Sequence, residues 1–492
     1  MEEATKHLHD TIPTAQTYMV DSDLKLPNIP HHGRPVTLAT DFTIDKENMP
    51  HNYDLLNLHL HGLEVETHLF HPQGTSKSDA PWISLDVDEC YCYRFRLPTT
   101  HPTGTYYYHP HRHGATGMQT WNGMWGPFLV TGGLDDDLAD MTKNNTPHID
   151  QPFFMWDAHV HRAKNHTEWE GRRGSGDEST LVETDDFLRN QAGQAEHIFV
   201  MVNNEFQPTL SMNTSQVMRI RLLCGASENM CGFRLRHTQS KVIVPLYNVG
   251  SDGRTWARAY TKQYMILMAS QREEILIQIA EAGLYEATRP SARLFGGCTK
   301  SRANGQEFVL STDMEFAKNE RGSNEADITD VEIMGQGRID FAMNTDVRIL
   351  PFEQYVIDNK SYNVNRIDQM AQRLQVEEWV ITNSQPTVHP LHIHVNPFQV
   401  KEVRTALENQ IEFTDYITDT STPMNRWRDT AIVPPYGSLR IWTRYAARAY
   451  GKTVFHCHFE AHSDTGMMSN LMITRHDTDK TSGADESTRT KS

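Results

Sequence analysis

The run TVFHCHFEAHSDTGMM, residues 453–468, constrains the chain more tightly than any other segment. In a strand, side chains at i and i+2 share a face and i+1 takes the other. His456 and His458 would therefore look one way and Cys457 the opposite way. Metal on both faces would be joined through the few covalent bonds of one residue, a path for single electrons. A thiolate with two imidazoles and a weak thioether is the donor set of a blue-copper electron-transfer site. His462 and Met467 follow Cys457 at +5 and +10, on a loop that must turn back toward it. The second imidazole is expected from His389, in HPLHIHVNPF (389–398). It precedes His392 by three residues and so has parity opposite to the His392/His394 pair, a relation that Pro390 makes approximate.

The His-x-His spacing recurs at 7/9, 59/61, 109/111, 111/113, 159/161 and 392/394, in a chain with 26 histidines. One such pair means little, because two polar residues on one strand face are ordinary; context must select. A second site would gather His392, His394, His456 and His458 with ligands from the N-terminal region. NLHLHGLEV (57–65) offers His59 and His61, and GTYYYHPHRHGATGM (104–118) offers His109 and His111. Glycine follows both runs, which lets backbone approach closely. Eight imidazoles suit three copper ions, since imidazole is a good copper ligand. His7/His9 stands in a polar terminus and reads as solvated. His159/His161 lacks a glycine-framed loop and reads as structural. His113 reads as a rim residue, with a His111/His113 register as the alternative.

The remaining sequence is a succession of short alternating runs: RPVTLATDF, CYCYRFRL, GPFLVTG, EHIFVMVN, VMRIRLL, EILIQIA, EEWVITN, LRIWTRY and NLMITR. Separated by Gly, Pro, Asn and Asp, they predict an all-β chain of sandwiches. Two polar stretches, 168–180 and 317–330, read as linkers or long loops, and the tail 476–492 as disordered. Boundaries are expected near 148 and 308, giving segments 1–147, 148–308 and 309–475.

With 46 Lys+Arg against 63 Asp+Glu, the formal net charge is −17. Such a surface repels phosphate backbones, which argues against nucleic acid as a partner. No window approaches the roughly 18 apolar residues of a membrane span. The first residues lack the basic start and apolar stretch of a secretory signal, so the compartment stays open between retention in the cell and a missing leader. Six cysteines are too few for a disulfide scaffold. Cys90 and Cys92, two apart on an apparent strand, are poorly placed to bridge each other; Cys224 and Cys231 could pair or remain free. Oligomeric state is not legible.

Taken together, HLHG, HPHRHG, HPLHIH and HCHFEAHSDTGMM, in that order, resemble the multicopper oxidases, the family of laccases and metallo-oxidases. The flanks GMWGPFLV and WRDTAIVPPYGSLRI and the middle segment 248–279 are similar too, and the resemblance runs from about 33 to 475. It implies three Greek-key cupredoxin sandwiches with four coppers. His389, Cys457, His462 and axial Met467 would hold the blue copper. His59 and His392 would hold the lone copper of a trinuclear cluster, and His61, His109, His111, His394, His456 and His458 its binuclear pair. The first 30 residues, SKSDAPW and DVDECY depart from the family's pattern.

The activity so implied is one-electron oxidation of a small donor coupled to four-electron reduction of O2 to water. Protons call for a carboxylate near the cluster. Glu460 stands where family members often carry an acid, and Asp79 is the analogous candidate in the N-terminal region, with a turn carboxylate as its plain alternative. Phenols or aromatic amines are the leading donors. A metallo-oxidase of Cu(I), Fe(II) or Mn(II) shares every ligand; the scattered methionines speak against Cu(I), while the acidic charge speaks for cations. A non-catalytic copper-binding cupredoxin is the other rival, opposed by ten histidines standing in motif register.

Overall fold

The computed structural model describes Asn48, Tyr93 and residues 55–67, 78–79, 97–143, 148–162, 179–181, 197–206, 208–213, 216–225, 230–288, 303–305, 338–349, 352–385, 387–405 and 426–475. The expectations for the first 30 residues, Cys90, Cys92, the stretch 317–330 and the tail lie outside them. So does the side chain of Asp79, whose backbone forms the short strand Ser78–Asp79 beside Glu66–Thr67. Ser179 and Thr180, expected in a loop, instead open the strand Ser179–Leu181, paired with Val160–Arg162.

Strands dominate, and the fold is all-β. The described helices are Thr116–Trp121, Leu134–Lys143 and Glu460–Asp464. None is long and apolar enough to cross a membrane.

In the middle of the chain, Val217–Cys224 runs parallel to His148–Met155 and antiparallel to Arg272–Ile277. It is buried on both faces, for different reasons. Met218, Ile220, Leu222 and Cys224 point into a core shared with Phe233 and Leu235 of the facing sheet. The alternate residues Arg219 and Arg221 face Asp135, Asp150 and Glu274 instead. One strand thus carries an apolar face and an ionic face, as a two-residue period dictates. Cys224 and Cys231 form a disulfide seven residues apart, which settles the pairing the sequence left open.

The C-terminal part is a sandwich. A six-stranded sheet centred on Val376–Asn383 and Gly437–Arg444 faces a five-stranded one containing His389–Ile393, Gly451–Cys457 and Met468–Thr474. Trp379, Ile381, Leu439 and Ile441 pack against Leu391, Ile393, Phe455 and Leu471. Phe455 is fully buried, edge-on to Trp379 at 5.3 Å. Truncating such a ring to alanine typically costs about 3–5 kcal/mol. Phe455 and Cys457 share this core face, whereas His456, between them, looks out of the sandwich.

It looks toward the N-terminal sheet, where His59–His61 pairs with Gly104–His109 so that His59 lies opposite His109 and His61 opposite Tyr107. The parts are clasped through buried acidic side chains. Glu64 binds Arg254 at 2.5 Å and also Arg448. Asp464 accepts hydrogen bonds from the N–H groups of Gly114 (2.7 Å) and Gly117 (2.8 Å), satisfying donors at the start of helix Thr116–Trp121.

Candidate metal centre

Register delivers the histidines. Leu391 lies opposite Cys457 and His392 opposite His456, so the odd and even positions of the two strands sort onto different faces. On the core face, the Cys457 Sγ lies 3.6 Å from Nδ1 of both His389 and His462. Those two nitrogens are 3.2 Å apart. His389 opens its strand, and His462 comes from helix Glu460–Asp464. Met467 is fully buried, and its carbonyl accepts from the Cys457 N–H at 3.0 Å, which holds the returning loop against the cysteine.

On the other face the remaining histidines form three groups: His111, His394 and His456; His61, His109 and His458; and His59, His61 and His392. None of these eight is more than 3% exposed. His456 Nε2 stands 3.1 Å from Nε2 of both His111 and His394. His458 Nε2 stands 3.2 Å from Nδ1 of His61.

The protons explain why such a cluster wants cations. His456 Nδ1 donates to the Cys457 carbonyl (2.9 Å), His109 Nδ1 to the Pro110 carbonyl (2.8 Å) and His392 Nδ1 to the Asp429 carbonyl (2.8 Å). His61 Nε2 donates to the Asp429 carboxylate at 3.2 Å. A neutral imidazole has one N–H, so each of these rings turns a bare lone pair inward. Nε2 of His109 and of His392 is buried without a hydrogen-bond partner. Protonating the rings offers no escape. Burial first, then neighbouring histidines, hold His59, His109, His456 and His458 well below the ordinary imidazole range. Burial alone takes His389 down to about 3. Opposed lone pairs in a dry pocket are a fit for metal, and soft thiolate with imidazole is a donor set copper favours.

Glu460 lies beside this set, its Oε1 3.2 Å from His458 Nδ1 and 3.9 Å from His109 Nδ1. Burial, and then Asp464, raise its carboxyl well above the usual range. His113 belongs to none of the groups; its Nε2 meets Asn48 Oδ1 at 3.1 Å and its ring packs edge-on to Tyr362. His7 and His9 lie outside the described residues, as do the side chains of His159 and His161. Sequence reasoning missed Asp429, Tyr107 and Tyr355. Tyr107 places its hydroxyl 3.2 Å from His458 Nε2, and Tyr355 stacks on His462. Asp429 stands inside WRDTAIVPP, a segment noticed only as a flank; the tyrosines gave no signal beyond their strand parity.

Comparison with known proteins gives the family. Family models for multicopper oxidase match residues 35–134 and 324–477. The multicopper oxidase mco of Staphylococcus haemolyticus is 23% identical over 430 residues, covering 85% of this chain and 76% of that protein. Among solved structures, the Aquifex aeolicus multicopper oxidase McoA is 19% identical with a TM-score of 0.64, covering 86% of this chain and 85% of that one. A Campylobacter jejuni multicopper oxidase is 20% identical with a TM-score of 0.62, covering 86% and 81%. At these identities the structural likeness establishes the cupredoxin-type fold. With motifs, fold and family models in agreement, the chain belongs to the multicopper oxidase family and is a copper-dependent oxidoreductase.

Proposed function

We propose that the protein oxidises phenols or aromatic amines one electron at a time and reduces O2 to water, in the manner of a laccase. The observation that carries this is the Cys457 junction, where one residue with its two peptide links spans both histidine faces. His389, Cys457, His462 and Met467 would hold a blue copper. His59 and His392 would hold a lone ion, and His61, His109, His111, His394, His456 and His458 a binuclear pair. Copper supplies one-electron redox capacity at each ion, so four ions store the four electrons that O2 requires.

The chain's own residues set the rest. Cys457 links the two ligand sets through its side chain and the peptide bonds to His456 and His458. The His456 Nδ1–H to Cys457 carbonyl contact, at 2.9 Å, adds a second short route. Glu460 holds a proton at its carboxyl beside His458, ready for transfer as O2 is reduced. Asp79 is a second proton carrier in this reading. A thioether from Met467 would stabilise the oxidised blue site slightly, which would disfavour donors that are very hard to oxidise.

A metallo-oxidase reading draws on the net charge of −17, which attracts cations. The Campylobacter neighbour is described as a metallo-oxidase, and a Pediococcus acidilactici neighbour as a laccase. The deciding experiment loads the protein with copper, counts the metal, and compares O2 uptake with a phenol, Fe(II) and Cu(I). Four ions per chain with fastest uptake on the phenol is expected. Faster uptake on a metal ion replaces the donor assignment, and full loading with no uptake on any donor defeats the catalytic reading.

A further inference from the structure

The middle segment contributes none of the histidines of the four groups, yet one of its residues reaches their edge. Arg272 begins the strand Arg272–Ile277 and is fully buried. Its Nη1 and Nη2 grip the Asp429 carboxylate at 2.8 and 2.6 Å. Its Nε donates to the Thr105 carbonyl at 3.2 Å, and Nη1 also donates to the Ser270 carbonyl at 3.0 Å. One guanidinium therefore touches the N-terminal, middle and C-terminal parts of the chain at a single point.

Asp429 passes that placement on. Its Oδ1 accepts from His61 Nε2 at 3.2 Å, and its main-chain carbonyl accepts from His392 Nδ1 at 2.8 Å. These two contacts decide which nitrogen each ring turns inward: Nδ1 for His61 and Nε2 for His392. The two rings come from opposite ends of the chain and stack with centroids 3.9 Å apart. Space around the clasp is tight. Gly62, next to His61 and at φ +81°, would set a Cβ 2.4 Å from both Arg272 Nη2 and Asp429 Oδ2. The glycine of HLHG is thus what admits the clasp.

Stability is a weak reason for such a pair. Replacing a buried ion pair by apolar residues of similar size is often neutral or stabilising. Orientation is the better reason, because a bidentate fork fixes the plane of a carboxylate as a point charge cannot.

We propose that Arg272 is a positioning residue for the His59, His61 and His392 group. By locking the Asp429 carboxylate it selects the ring nitrogen that His61 presents to metal, and it holds in place the residue whose main-chain carbonyl accepts from His392, so the middle segment governs copper occupancy there. This rests on reading those histidines as copper ligands. The clasp reaches the Cys457 group through none of these contacts, so that group serves as an internal control.

The test uses the full-length protein and Arg272→Lys, which keeps the charge and loses the fork. A second variant, Arg272→Met with Asp429→Leu, removes both charges at similar volume. Each is titrated with copper against a chelator, with the blue absorbance reporting the Cys457 group, electron paramagnetic resonance reporting the non-blue mononuclear ion, and total copper per chain reporting the remaining ions, His61's among them. Both variants are expected to keep the blue band and to bind the non-blue copper about 10- to 100-fold more weakly, the usual effect of losing a ligand's orienting partner. Wild-type affinity and an unchanged non-blue signal in either blue variant overturn the proposal. Loss of the blue band in both variants overturns it as well, because Arg272 then serves the whole fold. A wild-type protein that takes up no copper at all defeats the ligand assignment itself, a separate outcome.

Discussion

The phenol ring of Tyr355 lies flat against the His462 imidazole, with centroids 3.8 Å apart and planes 16° from parallel. Of the two imidazoles beside Cys457, His462 keeps 6% of its surface and His389 none. Tyr355, half-buried, therefore covers the side of the group nearest solvent. Tyr355→Leu removes a contact of about 1 kcal/mol and admits water to the imidazole. Water stabilises the more highly charged oxidised site, so the midpoint potential of the blue band falls, while Tyr355→Phe leaves it in place. A redox titration that finds the leucine variant at the wild-type potential rejects this role.

Cys457 is the only free cysteine among the described residues and is fully buried. Serine keeps its size and discards the soft thiolate. Cys457→Ser is expected to bind one copper fewer, to lose the blue colour, and to lose all donor-driven O2 uptake with the fold intact. Turnover that survives the substitution would refute the Cys457 path.

Glu460 sits 3.2 Å from His458 Nδ1 with its carboxyl raised by burial. Gln at this position keeps the size of the side chain and cannot release a proton. Glu460→Gln should bind copper as the wild type does and lower kcat by about 10²-fold or more, the scale of a lost proton donor. A drop in copper content with unchanged kcat per loaded chain points to a structural role instead.

Acid should loosen the junction at Glu274. Burial alone would raise this carboxyl, but Arg219 and Arg221, with the Thr105 hydroxyl, hold it down at about 2, against 4.5 for a free glutamate. A depressed folded-state value means the stabilisation is complete above about 4.5 and drains away as pH falls toward 2. The shift corresponds to about 3 kcal/mol. Denaturant titrations of the apo-protein should show that loss across this window, and Glu274→Gln should be weaker at neutral pH with a flatter acid limb. Parallel acid limbs in the two proteins would remove Glu274 from the account.

The site was far more legible than its surroundings. Short-range parity is enough to separate Cys457 from His456 and His458, because a strand's side chains alternate whatever the strand packs against. The same rule exposes Met218, Ile220 and Leu222 as one face of their strand. It says nothing of what the opposite face meets, and only the fold stands Asp135 and Glu274 against Arg219 and Arg221.

What the sequence alone determined here is the local chemistry: the ligand-type side chains, their spacing, the strands that carry them and the glycine that follows HLH. Tertiary structure decided which of those side chains meet. His111 reaches His456 across 345 residues, and Arg272 reaches Asp429 across 157. Periodicity acts over one or two residues, whereas the ring nitrogen each histidine turns inward depends on carbonyls and a carboxylate brought in by folding.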